Sequence, residues 1–349
     1  MDRYIGIDAH ASSCTVVVVG QSGRKLSEQV VETNRTALVE YIRSIPKPRH
    51  LCLEEGTLSS WLYELLSPHV DELVVAGMTE KRKGPKDDGR DALARAQELR
   101  TGGIEKSVFK APEHFGLLRQ LATSYDTVTR DVVRTQLRLK ALYLSRGIPT
   151  PGKTVYGAAH RQEFAAKLGA THQPSAALLY TQLDALQQLK ADAEKQLVHE
   201  SHRYPISHIL ETCPGLGPIR VAFLMPVVVT PNRFRTARQF WSYCGLGIMM
   251  RSSSDWVRQD DHWVRAQSNK TRGLTQTFNH TLKYVFKGAA TTVITKLPEH
   301  SLHQHYQRML NGGTKPNLAK LTLARQIAAT MLAMWKHEES YDPARHHKQ

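Results

Sequence analysis

Four acidic residues have the types and spacing needed to hold divalent cations. Asp8 closes a short apolar run in Gly6-Ile7-Asp8-Ala9-His10, and Glu54 closes another in Leu51-Cys52-Leu53-Glu54. Asp88 and Asp91 are three residues apart at the start of a helical pattern, which places both on one helix face. Two acids at strand ends and an i,i+3 helical pair can converge into the all-oxygen ligand set that Mg²⁺ prefers. Ions held in this way can activate an attacking oxygen and stabilise a leaving one in phosphoryl displacement. Each acid also has a plainer reading. Asp88 and Asp91 could simply complement a helix dipole, and a single acid at a strand end carries little information. Glu55 and Asp87 sit beside the set as spare acids, Glu54 being closer than Glu55 to the hydrophobic run.

The surrounding elements must bring these acids together. Tyr4–Ile7, Thr15–Val19 and Lys25–Val31 read as a three-stranded meander with a turn at Ser22-Gly23. Helical spacing over Thr36–Ser44 ends at Pro46. A buried strand over Leu51–Leu53, a helix around Leu58–Leu66, a strand near Leu73–Val75 and a helix opening around Asp87 follow, with a basic segment, Lys81–Gly84, before that last helix. The order βββαβαβα fits an RNase H-like domain, in which Asp8 would stand exposed at a sheet edge. It also fits half of an actin-like ATPase, although no glycine-rich phosphate loop lies beside either acidic strand.

Beyond the acids the periodicity becomes helical. Leu117, Leu121, Tyr125, Val128, Val132 and Leu139 form one apolar series, and Leu179, Leu183, Leu186, Leu189 and Leu197 form another. They predict two long helices, paired antiparallel or with another subunit, across a polar loop containing Pro149, Pro151 and Pro174. Arg119, Arg130, Arg134, Arg138 and Lys140 fall on no single stripe of the first helix, as expected of a solvated face. A third region opens near Tyr204 and contains Cys213-Pro214-Gly215-Leu216-Gly217-Pro218 before an apolar helix at Ile219–Leu224. Gly215 and Gly217 either let backbone N–H groups approach a nucleic-acid phosphate or make a tight interhelical turn. An apolar helix over Pro316–Trp335 and a polar tail over Tyr341–Gln349 complete the chain.

Bulk properties narrow the partners. The chain has 349 residues, with 47 Lys and Arg against 32 Asp and Glu, for a net charge of +15. Such an excess favours a polyanionic partner through counterion release. Nothing approaches a membrane span, and no leader-like segment opens the chain. Cys14, Cys52, Cys213 and Cys244 make no metal-binding pair and read as reduced, buried thiols in a cytoplasmic protein.

Three separated motifs carry a family resemblance. Gly6-Ile7-Asp8, then Leu53-Glu54 with Gly56-Thr57, then Lys86-Asp87-Asp88-Gly89-Arg90-Asp91-Ala92 resemble the signature of the bridge-RNA-guided insertion-sequence transposases. Pro214-Gly215-Leu216-Gly217-Pro218, Phe234, Ala237-Arg238-Gln239-Phe240 and Tyr243-Cys244-Gly245-Leu246 continue it. The resemblance implies a RuvC-like DEDD domain of RNase H-like α/β fold over 1–108 and a helical coiled-coil linker over 109–203. It also implies a mainly α transposase domain over 204–340 and a tail over 341–349. Asp8, Glu54, Asp88 and Asp91 match the four catalytic, metal-binding acids. Ser253 matches the nucleophilic serine that would hold a DNA end covalently, with Ser252 and Ser254 beside it; Ser254 and Ile248 replace the family's usual Gly and Pro.

A serine attacking a phosphodiester needs activation and charge neutralisation. Arg251, Arg258 and Arg265 are candidates for the second task and for nucleic-acid contact. The resemblance further implies Mg²⁺, donor and target DNA, a guide RNA that reads sequence by base pairing, and a homodimer or homotetramer. No recognition helix or zinc finger contradicts that division of labour. The competing expectations are a RuvC-like junction endonuclease with an idle serine and a non-catalytic RNA-binding protein whose acids only cap helices.

Overall fold

The structure is a computed structural model that describes residues 1–77, 87–104, 107–108, 115–251, 256–265 and 271–344. It comprises two compact units, Met1–His114 and Phe115–Gln349. The basic segment Lys81–Gly84 lies outside the described residues. No helix among those described is long and apolar enough to cross a membrane.

The first unit is a mixed α/β layer structure. Strands β1 (Arg3–Ala9), β2 (Ser13–Gly20) and β3 (Lys25–Glu32) form the expected meander, followed by α1 (Arg35–Ser44), β4 (Arg49–Glu54), α2 (Ser59–Leu66), β5 (Glu72–Ala76) and α3 (Asp88–Thr101). The sheet order is β3-β2-β1-β4-β5. β1, β2 and β3 pair antiparallel, whereas β4 and β5 run parallel to β1. β1 is therefore central, so Asp8 sits at the end of an interior strand rather than on a lateral sheet edge.

Strand alternation sends Ile5 and Ile7 of β1, with Val16 and Val18 of β2, into a core shared with Leu38 and Ile42 of α1 and Leu62 and Leu66 of α2. The opposite face takes α3, whose Ala92 and Ala96 bury against Val17 and Val19. β2 is thus covered on both faces, which explains its unbroken Val16–Val19 run. β3 is mostly exposed and carries Lys25 and Glu28, charges that discourage pairing with another edge strand. Arg49 satisfies carbonyls at the end of α1, donating from Nε to Ile45 O at 2.5 Å and from Nη2 to Arg43 O at 2.6 Å.

The second unit is mostly helical. It opens with α4 (Gly116–Leu144), α5 (Arg161–Ala166) and α6 (Gln173–His202). α4 and α6 pack antiparallel within the chain: the Tyr143 and Tyr180 hydroxyls meet at 3.1 Å, and the Tyr125 hydroxyl donates to Glu194 at 3.2 Å toward the other end. The intervening segment differs from the polar loop expected. Val155, Phe164 and Leu168 bury against Tyr143 and Tyr180 in a small core of their own, and Pro174 lies in the first turn of α6. Proline fits that turn because its missing N–H would have had no helical partner.

The remaining elements are α7 (Pro205–Glu211), α8 (Pro218–Val228), α9 (Ala237–Tyr243), β6 (Ile248–Arg251), β7 (Trp256–Gln259), β8 (His262–Arg265), β9 (Thr271–Leu274), α10 (His280–Lys296), α11 (Ser301–Asn311) and α12 (Pro316–His337). α12 buries residues around much of its circumference, including Leu323, Ala324, Ile327, Ala328 and Met331, as its broadly apolar sequence requires. Trp241 of α9 donates Nε1–H to Arg325 O at 2.9 Å, and Arg325 Nε donates to Leu246 O at 2.6 Å, tying α9 and its following turn to α12.

The strands interrupt the expected helical region. β6 pairs with β9, and β7 with β8, in two antiparallel ribbons. The β7–β8 signal was present in Trp256-Val257-Arg258-Gln259 and His262-Trp263-Val264-Arg265, which alternate around Asp260-Asp261. Both aspartates have positive φ, as a tight hairpin turn requires. The tail is partly anchored, since Tyr341 N–H donates to Thr212 Oγ1 at 2.8 Å.

Candidate metal centre

The acidic site is built on the α3 face of the first unit. Ile7 of β1 is registered against Leu53 of β4. Both side chains enter the core beneath α1 and α2, so the next residues, Asp8 and Glu54, point to the α3 side. That face is reached closely because Gly6 has no side chain: a Cβ there would lie 1.9 Å from the Ala92 carbonyl oxygen. The first turn of α3 then brings Asp88 and Asp91 to the ends of the strands.

Asp87 has a separate task. It is the N-cap of α3, where its carboxylate accepts from Gly89 N–H at 3.1 Å and Arg90 N–H at 3.4 Å. Its capping role supports the choice of Asp88 over Asp87 as the candidate ligand. Glu55 is likewise engaged locally, accepting from the Ser59 hydroxyl at 3.3 Å.

Asp8, His10 and Asp88 form a group whose candidate ligand atoms all lie within 4.8 Å of one another. His10 Nε2 is 3.2 Å from Asp8 and 3.4 Å from Asp88. Asp8 is 23% exposed. Burial raises its pKa above the ordinary carboxylate range, His10 opposes that shift, and the charges of Asp88 and Asp91 reinforce it. Crowded, partly dehydrated carboxylates of this kind fit a small hard cation, which supplies the missing positive charge and accepts oxygen donors. DEDD transposase domains typically use divalent metal ions, and this donor set is consistent with that chemistry.

Glu54, at the end of the adjacent strand, is not part of this group and pairs with a cation of its own. Arg95 Nη2 is 2.9 Å from Glu54, and Arg95 Nη1 is 2.6 Å from Glu98. The Arg95 side chain is only 9% exposed. A guanidinium supplies two directed donors at once, fixing Glu54 on the α3 face while neutralising two neighbouring acids. Arg95→Met is expected to lower stability by about 1–3 kcal/mol, the cost typical of losing hydrogen bonds to charged groups. It should also weaken metal binding, and urea denaturation with calorimetric metal titration measures both effects.

His10 and Arg95 are the residues that sequence reasoning missed. His10 had a visible signal in Asp8-Ala9-His10 at the end of an apolar strand. Arg95 had none, because its value depends on the packing of α3 over β4.

The candidates in the second unit are less fully placed. Ser252, Ser253 and Ser254 lie outside the described residues. Arg251 and Arg265 end β6 and β8 and are registered against Thr271 and Trp256. Arg258 is exposed and pairs with Asp261 at 2.7 Å within its own hairpin. Gly215 has a packing reason for being glycine: its φ is +82°, and a Cβ would meet the Ala289 carbonyl oxygen at 2.4 Å. That explains the tight turn without requiring a ligand. Gly217 has open space instead and borders a cleft between α4, α8 and α10.

Of the basic residues on α4, Arg130 pairs with Asp126, Arg134 pairs with Asp131, and Arg119 donates to Pro226 O at 3.2 Å. The local pairs of Arg130 and Arg134 agree with the solvated-face reading, whereas Arg119 is partly buried against α8.

Comparison with known families now gives this geometry a context. Residues 5–146 match the IS110-type DEDD transposase model, described as a transposase, and residues 207–307 match the transposase IS116/IS110/IS902 family. The first match contains all four acids, and the second contains Ser252–Ser254 and both ribbons. No curated protein matches the chain. The chain carries IS110-family transposase domains and is a transposase or recombinase enzyme whose substrate is DNA.

Proposed function

We propose that this DNA-acting enzyme is a bridge-RNA-guided recombinase of RNase H-like catalytic fold. In this reading Asp8, Glu54, Asp88 and Asp91 hold Mg²⁺, and Ser253 is the nucleophile. The observation that carries the metal assignment is the meeting of Asp8, His10 and Asp88 at the strand ends, with Asp91 acting on Asp8 through its charge. When bound, Mg²⁺ would supply Lewis-acid activation and charge neutralisation for phosphoryl transfer.

The chain's own residues perform the rest. Arg95 positions Glu54, and His10 offers a nitrogen beside two carboxylates. In the covalent step the Ser253 oxygen attacks phosphorus and its proton passes to a base; the bond from phosphorus to one deoxyribose oxygen breaks, and that oxygen takes up a proton to leave as a hydroxyl. The phosphoserine bond stores the broken linkage, so another DNA hydroxyl can displace serine without an external energy source. Arg251, Arg258 and Arg265 are the cations nearest Ser253 in sequence that could face this phosphate.

Guide-RNA reading of sequence is supported by the family domains, the +15 charge and the absence of any helix-turn-helix or zinc-finger signature in the sequence. Assembly as a homodimer or homotetramer accords with the several cleavages that strand exchange needs.

Ser253→Ala provides the discriminating experiment. A radiolabelled donor end incubated with the full chain, guide RNA and Mg²⁺ is expected to give a protease-sensitive protein–DNA adduct. The substitution should abolish that adduct. Full adduct formation by Ser253→Ala but none by Ser252→Ala would move the nucleophile to Ser252. Unchanged hydrolytic cleavage with no adduct in any protein would instead establish a plain endonuclease.

A further inference from the structure

A cleft of about 710 Å³ lies within the second unit, lined by parts of α4, α6, α8 and α10. Beside it, sharing His280 and Tyr284, α10 presents His280, Lys283, Tyr284, Lys287 and Thr291, a spacing of three and four that makes a single helical face. Lys320 of α12 borders the same face, and Arg220 of α8 and Lys190 of α6 line the adjoining cleft.

Three observations single out this face. First, Tyr284 is 78% exposed and stands between Lys283 and Lys287 on this face. Second, Lys190, Arg220, Lys283, Lys287 and Lys320 have no acidic partner among the described residues, unlike Arg130 and Arg134 nearby; Lys283 and Lys190 lie over the Phe278 and Tyr125 rings, at 3.9 and 5.8 Å from the centroids, which leaves their charges unneutralised. Lys283 and Lys287 are like charges at i,i+4, which destabilises a helix unless an anion intervenes. Burial and the Lys287 charge hold the Lys283 ammonium below the usual lysine range. Third, Arg220 is partly buried and donates to Gly215 O at 2.8 Å, which fixes one side of its guanidinium. Gly288 leaves the space in which that guanidinium lies, since a Cβ there would come within 3.1 Å of Arg220 Nε.

We propose that the Tyr284 face of α10, together with Arg220, is a docking face for unpaired DNA, with a base stacked on Tyr284 and flanking phosphates against Lys283, Lys287 and Arg220. A sequence-tolerant single-strand site needs a π surface for a base and cations spaced along the backbone. Duplex DNA offers the same phosphates but keeps its base faces stacked inside, so an exposed ring gains little from it. DNA is the occupant because this enzyme's substrate is DNA, and strand exchange creates unpaired ends. The inference rests on that DNA-acting character and requires neither the serine nucleophile nor the guide RNA.

Binding of the full chain to a fluorescein-labelled 15-mer of dT, the matching duplex and a 15-mer of rU tests this assignment. Titrations in EDTA keep cleavage silent. Tyr284→Ala is expected to weaken dT binding about 10-fold, the size of one lost base stack. Tyr284→Phe should retain it, and duplex binding should change less than about twofold in either variant. Lys287→Gln should reduce the slope of log affinity against log salt by about 0.7, one single-strand phosphate contact. Unchanged dT affinity in Tyr284→Ala would overturn the proposal. So would an equal loss for duplex, which would make the effect one of general charge or folding. A loss confined to rU would assign the face to RNA and overturn its assignment to DNA.

Discussion

Asp8→Asn should reduce DNA cleavage by more than about 100-fold while leaving the protein folded. Changes to groups that merely orient metal ligands cost about 10–100-fold, and Asp8 is proposed as a ligand itself. It ends the central strand, meets His10 at 3.2 Å and experiences the charges of Asp88 and Asp91. The sign of the stability effect separates lost chemistry from misfolding. Because the folded pKa of Asp8 is raised, its contribution is most favourable below the pKa of the unfolded chain and is lost as pH rises through the folded value. At neutral pH in EDTA, the Asn variant should therefore melt at the wild-type temperature or above. The wild-type protein should gain melting temperature on adding Mg²⁺, and the variant should lose most of that gain. Metal affinity should begin to fall on acidification at a pH above the usual aspartate range, because the ion must displace a proton held more tightly than normal. Thermal scans across pH, with and without Mg²⁺, measure these effects. A large destabilisation of Asp8→Asn in EDTA would contradict the assignment.

Gly6→Ala should be among the most damaging single-methyl additions in the chain. The new Cβ would lie 1.9 Å from Ala92 O and 2.7 Å from Ala96 N, both backbone atoms of α3. Flexible side chains can turn away from such a contact, but a helix backbone must move as a body. The expected cost is about 3 kcal/mol or more, at or beyond the upper end of ordinary overpacking. α3 would shift from β1 and take Asp88 and Asp91 with it, so metal binding and cleavage should fall together. Gly56→Ala is the contrasting control, because a Cβ there meets nothing within 4 Å. It should change stability by less than about 0.5 kcal/mol. Equal midpoints for the two variants in urea denaturation would refute this account of the α3 contact.

The part of the site that follows from local rules was legible in the amino-acid order. Strand alternation through Tyr4–Asp8 and Arg49–Glu54 places two acids on one face, and i,i+3 spacing places Asp88 with Asp91. The capping task of Asp87 was not legible there; it shows only in the hydrogen bonds its carboxylate accepts from Gly89 and Arg90 N–H. Arg95 was not legible, since its two acidic partners depend on how α3 crosses the sheet. Gly215 was ambiguous for the same reason: a left-handed turn and a phosphate cradle ask for the same residue, and only the nearby Ala289 carbonyl distinguishes them. The β7–β8 ribbon was readable from its alternating tryptophans, valines and arginines, but helical periodicity on both sides obscured a pattern only four residues long. The segment between α4 and α6 carried too few apolar residues in regular register to reveal that Val155, Phe164 and Leu168 share a core.

The four cysteines have a practical consequence. Cys14 and Cys52 are buried in the first unit, and Cys213 and Cys244 in the second. Burial raises their pKa values, that of Cys52 to about 11 and that of Cys213 to about 12, so the reactive thiolate is scarce at neutral pH. Native thiols are therefore silent toward alkylating reagents until the chain around them opens. The time course of alkylation, resolved by peptide, becomes a clock for local unfolding with two hands in each unit.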